Sequence, residues 1–263
     1  MGAADRQDIS VDVVRVFTRD GGGGNHLGIH HGLLDDDTMQ RAAAVLGYAE
    51  TIFVARRDEV AGTDPEYDVR IFTPGAELAF AGHPLVGAAW HVADRDRTVV
   101  LHCGIGPVPG TRVGWHEARI TTPVVPVARP VDAPPGVEQA WIVRMPLPYE
   151  VRRLTDPEAV ATYRPLEPPA NRLVFARGED GRPDRVRARF FASGLGVEED
   201  AATGSAAVAL AAVRRADGEP TGSLVIHQGT EMGYPSRIEL SWTPEDTTIG
   251  GAVVEGARRR ITV

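Results

Sequence analysis

Two stretches of the chain show the same order of local structure signals, and this repetition constrains the fold more than any other feature. Residues 69–89 show an apolar strand pattern, a turn and the start of a helix, and residues 189–212 repeat that order. Two further strand patterns, at 49–56 and 170–177, precede these units at comparable distances. The order and spacing predict an internal duplication, with two similar halves packed about a pseudo-twofold axis.

The duplication would bring two helix N-termini toward one cleft. We expect Pro84 after Gly82-His83 to open the first helix, and Ser205 after Gly204 to cap the second. The first N–H groups of a helix have no partner, and the positive end of its dipole favours a carboxylate or phosphate. Gly204 has no Cβ, so a ligand could approach these groups closely. An ordinary capped helix explains the same residues, and the pattern alone leaves both interpretations open.

Two side chains at these boundaries could carry proton chemistry. Glu50 falls at the entry to the strand pattern 51–55, where partial desolvation could raise its pKa and suit it to act as a base and then as an acid. An exposed turn residue is the alternative. For His83 we expect a neutral imidazole, because the positive helix end disfavours a cation, and a capping or packing role is the alternative.

Composition excludes several classes of protein. The net charge of −8 argues against a nucleic-acid or anionic-membrane partner. All 28 basic residues are Arg, which excludes a lysine Schiff base and a phosphate-loop lysine. Cys103 is the one cysteine, so neither an internal disulfide nor a two-thiol acid/base pair can form, and a buried structural thiol is the expectation. No apolar run suits a membrane span or signal core, which favours a cytoplasmic enzyme.

The histidines after the glycine run at 21–24 do not form a recognisable metal-binding set. His26 and His30 could share a helix face, but the flanking glycines argue against a firm helix, and His31 adds no carboxylate or thiol ligand. We expect a flexible turn at the glycine run 21–24 and no metal at the histidines. Acidic residues at 35–37 and Gly47 mark the two ends of the next predicted helix.

Four segments together closely resemble the PhzF-like family of phenazine-biosynthesis-type isomerases, in order and over nearly the whole chain. They are Glu50-Thr51-Ile52-Phe53-Val54, Gly82-His83-Pro84, the segment 199–206 that contains Asp200 and Thr203-Gly204-Ser205, and the segment 228–233. The resemblance implies an α+β fold of the diaminopimelate epimerase type, with two similar domains, each a curved, mostly antiparallel sheet wrapped around a central helix. We place the two domains at 1–120 and 121–263. The boundary between them lies within a Pro-rich crossover at 108–169. We allow for a C-terminal strand that returns to the first domain.

The resemblance also implies the site and its chemistry. It predicts a cofactor-independent, homodimeric isomerase that acts on a small unsaturated or cyclic carboxylic acid, with a dihydro-hydroxyanthranilate-like secondary-metabolite intermediate as the prototype. The implied catalytic residues are Glu50, His83 and Asp200. The implied substrate-binding residues are Asn25, Gly82, Gly204, Ser205 and Gly229.

Two positions depart from the family pattern. His26 stands where the family has Pro, and Tyr234 stands where Arg is usual. Two other functions stay open, and these changes favour the second of them. An amino-acid racemase or epimerase would need a second base such as Asp200 opposite Glu50, and a noncatalytic protein would bind a small carboxylate without turnover.

Overall fold

The computed structural model describes residues 7–59, 61–146, 148–165, 171–192 and 197–263. In the first half the strands are β1 (Asp8–Thr18), β2 (Asn25–His31), β3 (Glu50–Arg56), β4 (Glu66–Phe72), β5 (Glu77–Leu78), β6 (Thr98–Cys103), β7 (Gly106–Val113) and β8 (Glu117–Thr122). The helices there are α1 (Asp36–Leu46) and α2 (Gly82–Val92).

The second half repeats this order of elements. Its strands are β9 (Val127–Val131), β10 (Gln139–Arg144), β11 (Tyr149–Arg153), β12 (Arg172–Arg177), β13 (Arg185–Ala192), β14 (Val197–Asp200), β15 (Gly222–Gln228), β16 (Ser236–Trp242), β17 (Thr247–Glu255) and β18 (Arg259–Thr262). Its helices are α3 (Pro157–Thr162) and α4 (Gly204–Ala216), with short 3₁₀ turns at Glu179–Gly181 and Thr230–Met232.

Local sequence accounts for the ends of helix α1. The Asp35 side chain accepts a hydrogen bond from the Thr38 N–H at 3.0 Å, which satisfies one free donor of the first turn. Gly47 ends the helix in the left-handed conformation, which costs glycine little. The predicted bounds of this helix are therefore confirmed.

Strand pairing confirms the duplication. In the first half β2 and β3 are parallel, β3 and β4 antiparallel, and β4 and β6 parallel. In the second half β11 and β12, β12 and β13, and β13 and β15 pair in the same three ways. The first sheet runs β1-β2-β3-β4-β6-β7-β8-β17, and β17 pairs with β1, so this sheet closes into a barrel.

Each sheet wraps around one buried helix. Helix α2 contacts β1, β2, β3, β6, β7, β8 and β17, and helix α4 contacts β9, β10, β11, β16 and β17. Residues 82–90 of α2 and 204–214 of α4 are buried. A helix that is buried on all sides must be apolar or small-chained on all sides, which explains the alanines and valines of both sequences. The predicted epimerase-like fold is confirmed by this arrangement.

The C-terminal strands join the two halves. Strand β17 pairs with β16 of its own half and with β8 and β1 of the other, and β18 pairs with β1. The domain boundary near residue 120 stays a prediction, because the shared strand β17 belongs to both sheets.

Two predicted helix starts were wrong by two residues. Helix α4 begins at Gly204 with Thr203 as its N-cap, so Ser205 lies within the first turn. Helix α2 begins at Gly82, so Pro84 is its third residue. Proline is tolerated there because the first four N–H groups of a helix have no intrahelical acceptor. The predicted turn residues 193–194, and residues 169–170, lie outside the described residues. Within the described residues, no helix is both long enough and apolar enough to cross a membrane.

Candidate active site

The N-termini of the two central helices, α2 and α4, are in direct contact with each other. A Cβ added to Gly82 would lie 2.8 Å from the Gly204 backbone, and one added to Gly204 would lie 2.9 Å from the Cα of Gly82 and from the His83 nitrogen. Neither approach leaves room for a side chain. The glycines are therefore required first for contact between the helices, whereas the sequence suggested that Gly204 makes room for a ligand.

Both helices begin without a side-chain cap. The N-cap residues Ala81 and Thr203 are extended, and neither makes a capping hydrogen bond with its side chain. The first-turn N–H groups of both helices therefore receive no side-chain cap, and both helix dipoles point their positive ends toward the same junction. Such a pair of ends is suited to bind a carboxylate.

A cavity of about 170 Å³ opens at this junction. Its wall is largely apolar, with Leu78, Phe80, Met145 and Phe190 among the lining side chains. Its polar side chains come from both halves of the chain: Glu50, Thr73, Glu77, Tyr149, Asp200, Thr203 and Ser205. An apolar cavity with a few convergent polar groups is the usual form of a small-molecule site.

Glu50 and His83 form an ion pair at one side of the cavity. Glu50 begins strand β3, where it pairs with Leu27 of the parallel strand β2. Its Oε2 lies 3.0 Å from Nδ1 of His83, the second residue of helix α2. The Glu50 side chain is 14% exposed and the His83 side chain 2%. Glu50 lines the cavity, whereas His83 is not among the described lining residues and lies behind it.

The surroundings of His83 favour its protonated form more than the helix end alone predicts. Burial lowers its pKa, but the Glu50 carboxylate, its contact with the ring and the Asp200 carboxylate all raise it, and the net pKa lies above the ordinary value of 6.5. The helix end does favour a neutral ring, as we expected from the sequence. Two carboxylates supplied by other elements oppose that effect, and local sequence shows neither of them close to the ring.

At the other side of the cavity, hydrogen bonds hold the Asp200 side chain in place. Its Oδ1 accepts from Asn25 Nδ2 at 2.7 Å, and its Oδ2 accepts from Thr203 Oγ1 at 2.5 Å. Gln228 Nε2 donates to the Asp200 carbonyl at 2.7 Å. Burial and the nearby Glu50 carboxylate raise the pKa of Asp200 to about 6, although His83 and both hydrogen bonds oppose this. Asp200 can therefore exchange a proton near neutral pH.

An adjacent ion pair supports the strand that carries Asp200. Arg189 of β13 donates to both carboxylate oxygens of Glu199 at 2.8 Å, and Arg189 is buried. A bidentate pair of this kind fixes the orientation of both side chains. Strand β14 is thereby held against β13 one residue before Asp200.

Sequence reasoning missed Tyr149. Its hydroxyl lies 2.8 Å from the Ser205 hydroxyl, and both side chains line the cavity. Burial raises the pKa of Tyr149 to about 12, so the hydroxyl is neutral and can donate a hydrogen bond. The duplication offered one signal, since Tyr149 begins β11 just as Asn25 begins the corresponding strand β2.

Comparison with known proteins identifies the family. The family model described as phenazine biosynthesis-like protein, PhzC-PhzF, matches residues 14–144 and 167–257. The chain belongs to this family. A trans-2,3-dihydro-3-hydroxyanthranilate isomerase of Pseudomonas aeruginosa is 33% identical over 225 residues, which cover 78% of this chain and 79% of that protein. The prediction of a PhzF-like isomerase is therefore confirmed.

Solved structures support the fold. A PhzF-family protein of Bacillus anthracis matches with a TM-score of 0.80 at 17% identity, covering 98% of this chain and 100% of its own. A hydroxyproline epimerase of Agrobacterium vitis matches with a TM-score of 0.69 at 12% identity, covering 97% of this chain and 93% of its own. At these identities the likeness concerns architecture alone.

The two departures from the PhzF pattern contact each other. The rings of His26 and Tyr234 lie 6.2 Å apart, edge to face, and His26 stacks on Tyr48 at 5.5 Å. All three line a second cavity of about 260 Å³, and Asp200 and Ala49 line both cavities. An aromatic cluster therefore surrounds both positions at which the sequence was expected to depart from the family pattern.

The remaining predicted residues lie outside the first cavity. Asn25 lines the second cavity and reaches the first through its hydrogen bond to Asp200. Gly229 has a φ of 75° and lines neither described cavity; a Cβ there would lie 2.5 Å from the carbonyls of Ala201 and Tyr234. It supports the turn after Asp200 by close backbone contact, and its role in substrate binding stays a prediction.

Cys103 lies apart from the site, at the end of β6. It is half-buried, and burial raises the pKa of its thiol. It is not among the described residues of either cavity. Thiol acid/base chemistry therefore has no candidate in the described cavities.

Proposed function

We propose that this PhzF-family isomerase moves a proton between two carbons of a small unsaturated or cyclic carboxylic acid, without a cofactor. The observation that carries the proposal is the meeting of Glu50 and Asp200 at one cavity beside two uncapped helix N-termini. The cavity thus combines a carboxylate suited to act as a base, a carboxyl group with a pKa of about 6 and a place for a substrate carboxylate.

The substrate carboxylate would bind at the paired helix ends. No arginine or histidine is among the described residues that line the cavity, and three acidic side chains are. An anionic substrate would therefore depend on the N–H groups at Gly82-His83 and Gly204-Ser205, on the hydroxyls of Ser205 and Tyr149, and on the raised pKa of His83 behind Glu50.

The proton transfer would be carried out by Glu50. Its carboxylate removes a proton from a carbon next to the conjugated system, and the electrons delocalise toward the bound acid group. The same carboxyl group then returns the proton at the far end of that system, so the double bond moves and the composition does not change. His83 holds the carboxylate in place at 3.0 Å. Asp200 orients the substrate and handles its exchangeable proton.

The substrate of the Pseudomonas relative guides the first choice of compound. That protein is named for trans-2,3-dihydro-3-hydroxyanthranilate, a cyclic carboxylic acid. We infer a related secondary-metabolite intermediate for this chain. Closure of the two halves around it would exclude water from the carbanion-like intermediate. A homodimer in the cytoplasm stays a prediction.

An epimerase is the second candidate, because Asp200 could act as a second acid/base group across the cavity from Glu50. A panel experiment in D₂O distinguishes the candidates. We would incubate the protein with trans-2,3-dihydro-3-hydroxyanthranilate and other conjugated or cyclic amino and hydroxy acids, and follow each by NMR. Deuterium uptake with double-bond migration supports the isomerase. Uptake at a stereocentre without migration supports the epimerase, and binding without uptake indicates a noncatalytic protein.

A further inference from the structure

Three side chains that are distant in sequence converge on one point away from the cavity. Asp12 lies in β1, His31 ends β2 and His91 lies in the last turn of α2. The Nε2 atoms of His31 and His91 are 2.9 Å apart. Each of these atoms is also 3.4 Å from Oδ2 of Asp12.

This triangle has the dimensions of a zinc site. Imidazole nitrogens and carboxylate oxygens bind Zn²⁺ at roughly 2.0–2.2 Å, so two ligands at tetrahedral positions lie about 3.4 Å apart. Two edges of the triangle match this separation and the third is shorter. Two imidazoles and one carboxylate are a ligand set that suits zinc and leaves a fourth position for water.

A hydrogen bond between the two imidazoles is the simpler explanation, but it accounts for one edge only. It does not require both Nε2 atoms to face the same carboxylate oxygen. Arg258 binds Asp12 mainly through Oδ1, at 2.6 Å, with a longer contact of 3.2 Å to Oδ2. Arg258 is 69% exposed. It therefore orients the carboxylate, as outer partners of metal ligands commonly do, and can move aside.

His91 lies in the last turn of α2, at the negative end of the helix dipole, where a bound cation is favoured.

We propose that Asp12, His31 and His91 form a zinc site that clamps the end of helix α2 to strands β1 and β2. His91 follows His83 by eight residues, which corresponds to about 12 Å along the helix axis. The zinc is therefore outside the catalytic cavity and acts on stability, by fixing the far end of the helix whose N-terminus carries His83.

Titration of the metal-stripped full chain with ZnCl₂ by calorimetry tests the proposal. We expect one Zn²⁺ per chain, and a rise in Tm of roughly 5 °C at a hundredfold excess over Kd. His31→Ala, His91→Ala and Asp12→Asn should each weaken binding by at least about tenfold. His116→Ala, which removes an exposed histidine outside the cluster, is the matched control and should bind as the wild type does.

Arg258→Gln separates a metal site from an ion-pair network. It removes the one guanidinium that is hydrogen-bonded to Asp12 in the described structure, so zinc affinity should be kept or increased. Absence of stoichiometric zinc binding by the wild type would overturn the proposal. Equal affinity in the wild type and the His31→Ala variant would overturn it too, and His31 is exposed enough, at 59%, for that variant to fold.

Discussion

Nδ1 of His83 lies 3.0 Å from Oε2 of Glu50, and the two residues come from the first turn of α2 and the first position of β3. The His83 ring is almost fully buried, so its charge depends on this carboxylate and on Asp200. The contact links the geometry of the helix ends to the orientation of the carboxylate that faces the cavity. A change to either residue should therefore be measurable at the other.

The pKa of His83 should fall when Glu50 becomes Gln. The neutral amide removes the largest opposing effect, and burial then favours the neutral ring. An NMR pH titration of the His83 ring measures the change, with Glu77→Gln as the control. Glu77 also lines the cavity but is paired with Arg70 at 2.7 and 2.6 Å. An unchanged His83 pKa in the Glu50→Gln variant would contradict the pairing.

The same pair predicts a pH dependence of stability. Because the folded-state pKa of His83 is raised, the ion pair contributes fully to the free energy of unfolding below pH 6.5. This contribution is lost as the pH rises through the folded-state pKa. Comparison of unfolding free energies of the wild type and Glu50→Gln across that range measures this loss. A constant difference between them at all pH values would show that the ion pair contributes nothing.

The raised pKa of Asp200 predicts a second pH dependence of stability, at lower pH. Its pKa rises from 3.8 to about 6 on folding, so the native state binds the proton more tightly and the ionised form is destabilising. Between pH 4 and 7 the wild type should lose on the order of 2–3 kcal/mol relative to Asp200→Asn. Urea unfolding at a series of pH values tests this. Parallel curves for the two proteins would place the pKa of Asp200 near its ordinary value.

Close contact of the helix ends predicts the cost of a single methyl group. Gly204→Ala places a Cβ 2.9 Å from Gly82 and His83, and should cost about 1–3 kcal/mol of the free energy of unfolding. Gly75→Ala is the control, because nothing lies within 4 Å of its Cβ position. Chemical denaturation compares the two variants. Equal stability would mean that the helix ends separate readily.

The aromatic cluster at the second cavity predicts a change of specificity. Tyr234→Arg adds a cation beside His26 and Asp200, so kcat/KM for acids with a second anionic group should increase by roughly tenfold relative to monocarboxylates. Val127→Arg adds the same charge at an exposed position that lines neither described cavity. A similar change of preference in both variants would exclude a local effect of Tyr234.

Sequence alone predicted most of the fold, because local signals and the duplication agreed. The caps of α1 and the matched units around Gly82 and Gly204 each indicated the element that the structure contains. The predicted strand start at Glu50 is likewise observed. These features depend on short segments and on their order, both of which can be read from one chain.

The rest depended on contacts between distant segments. Tyr149 reaches Ser205 across 56 residues, and the charge on His83 depends on carboxylates from two other strands. His31 was considered for metal binding with its neighbours His26 and His30. Its actual neighbours are Asp12 and His91. All three histidines lie in β2, where the alternation of side chains places His31 on the face opposite to His26 and His30. Residue type and spacing cannot show such pairings before the sheet register is known.

The most direct test of the account is deuterium incorporation from D₂O into the substrate that the panel identifies, compared between Glu50→Gln and Glu77→Gln. Both variants remove one carboxylate charge from the same cavity. We expect Glu50→Gln to lose roughly 10²–10⁴-fold in the rate of proton transfer and Glu77→Gln to retain nearly all of it. Equal rates of incorporation in the two variants would contradict Glu50 as the base.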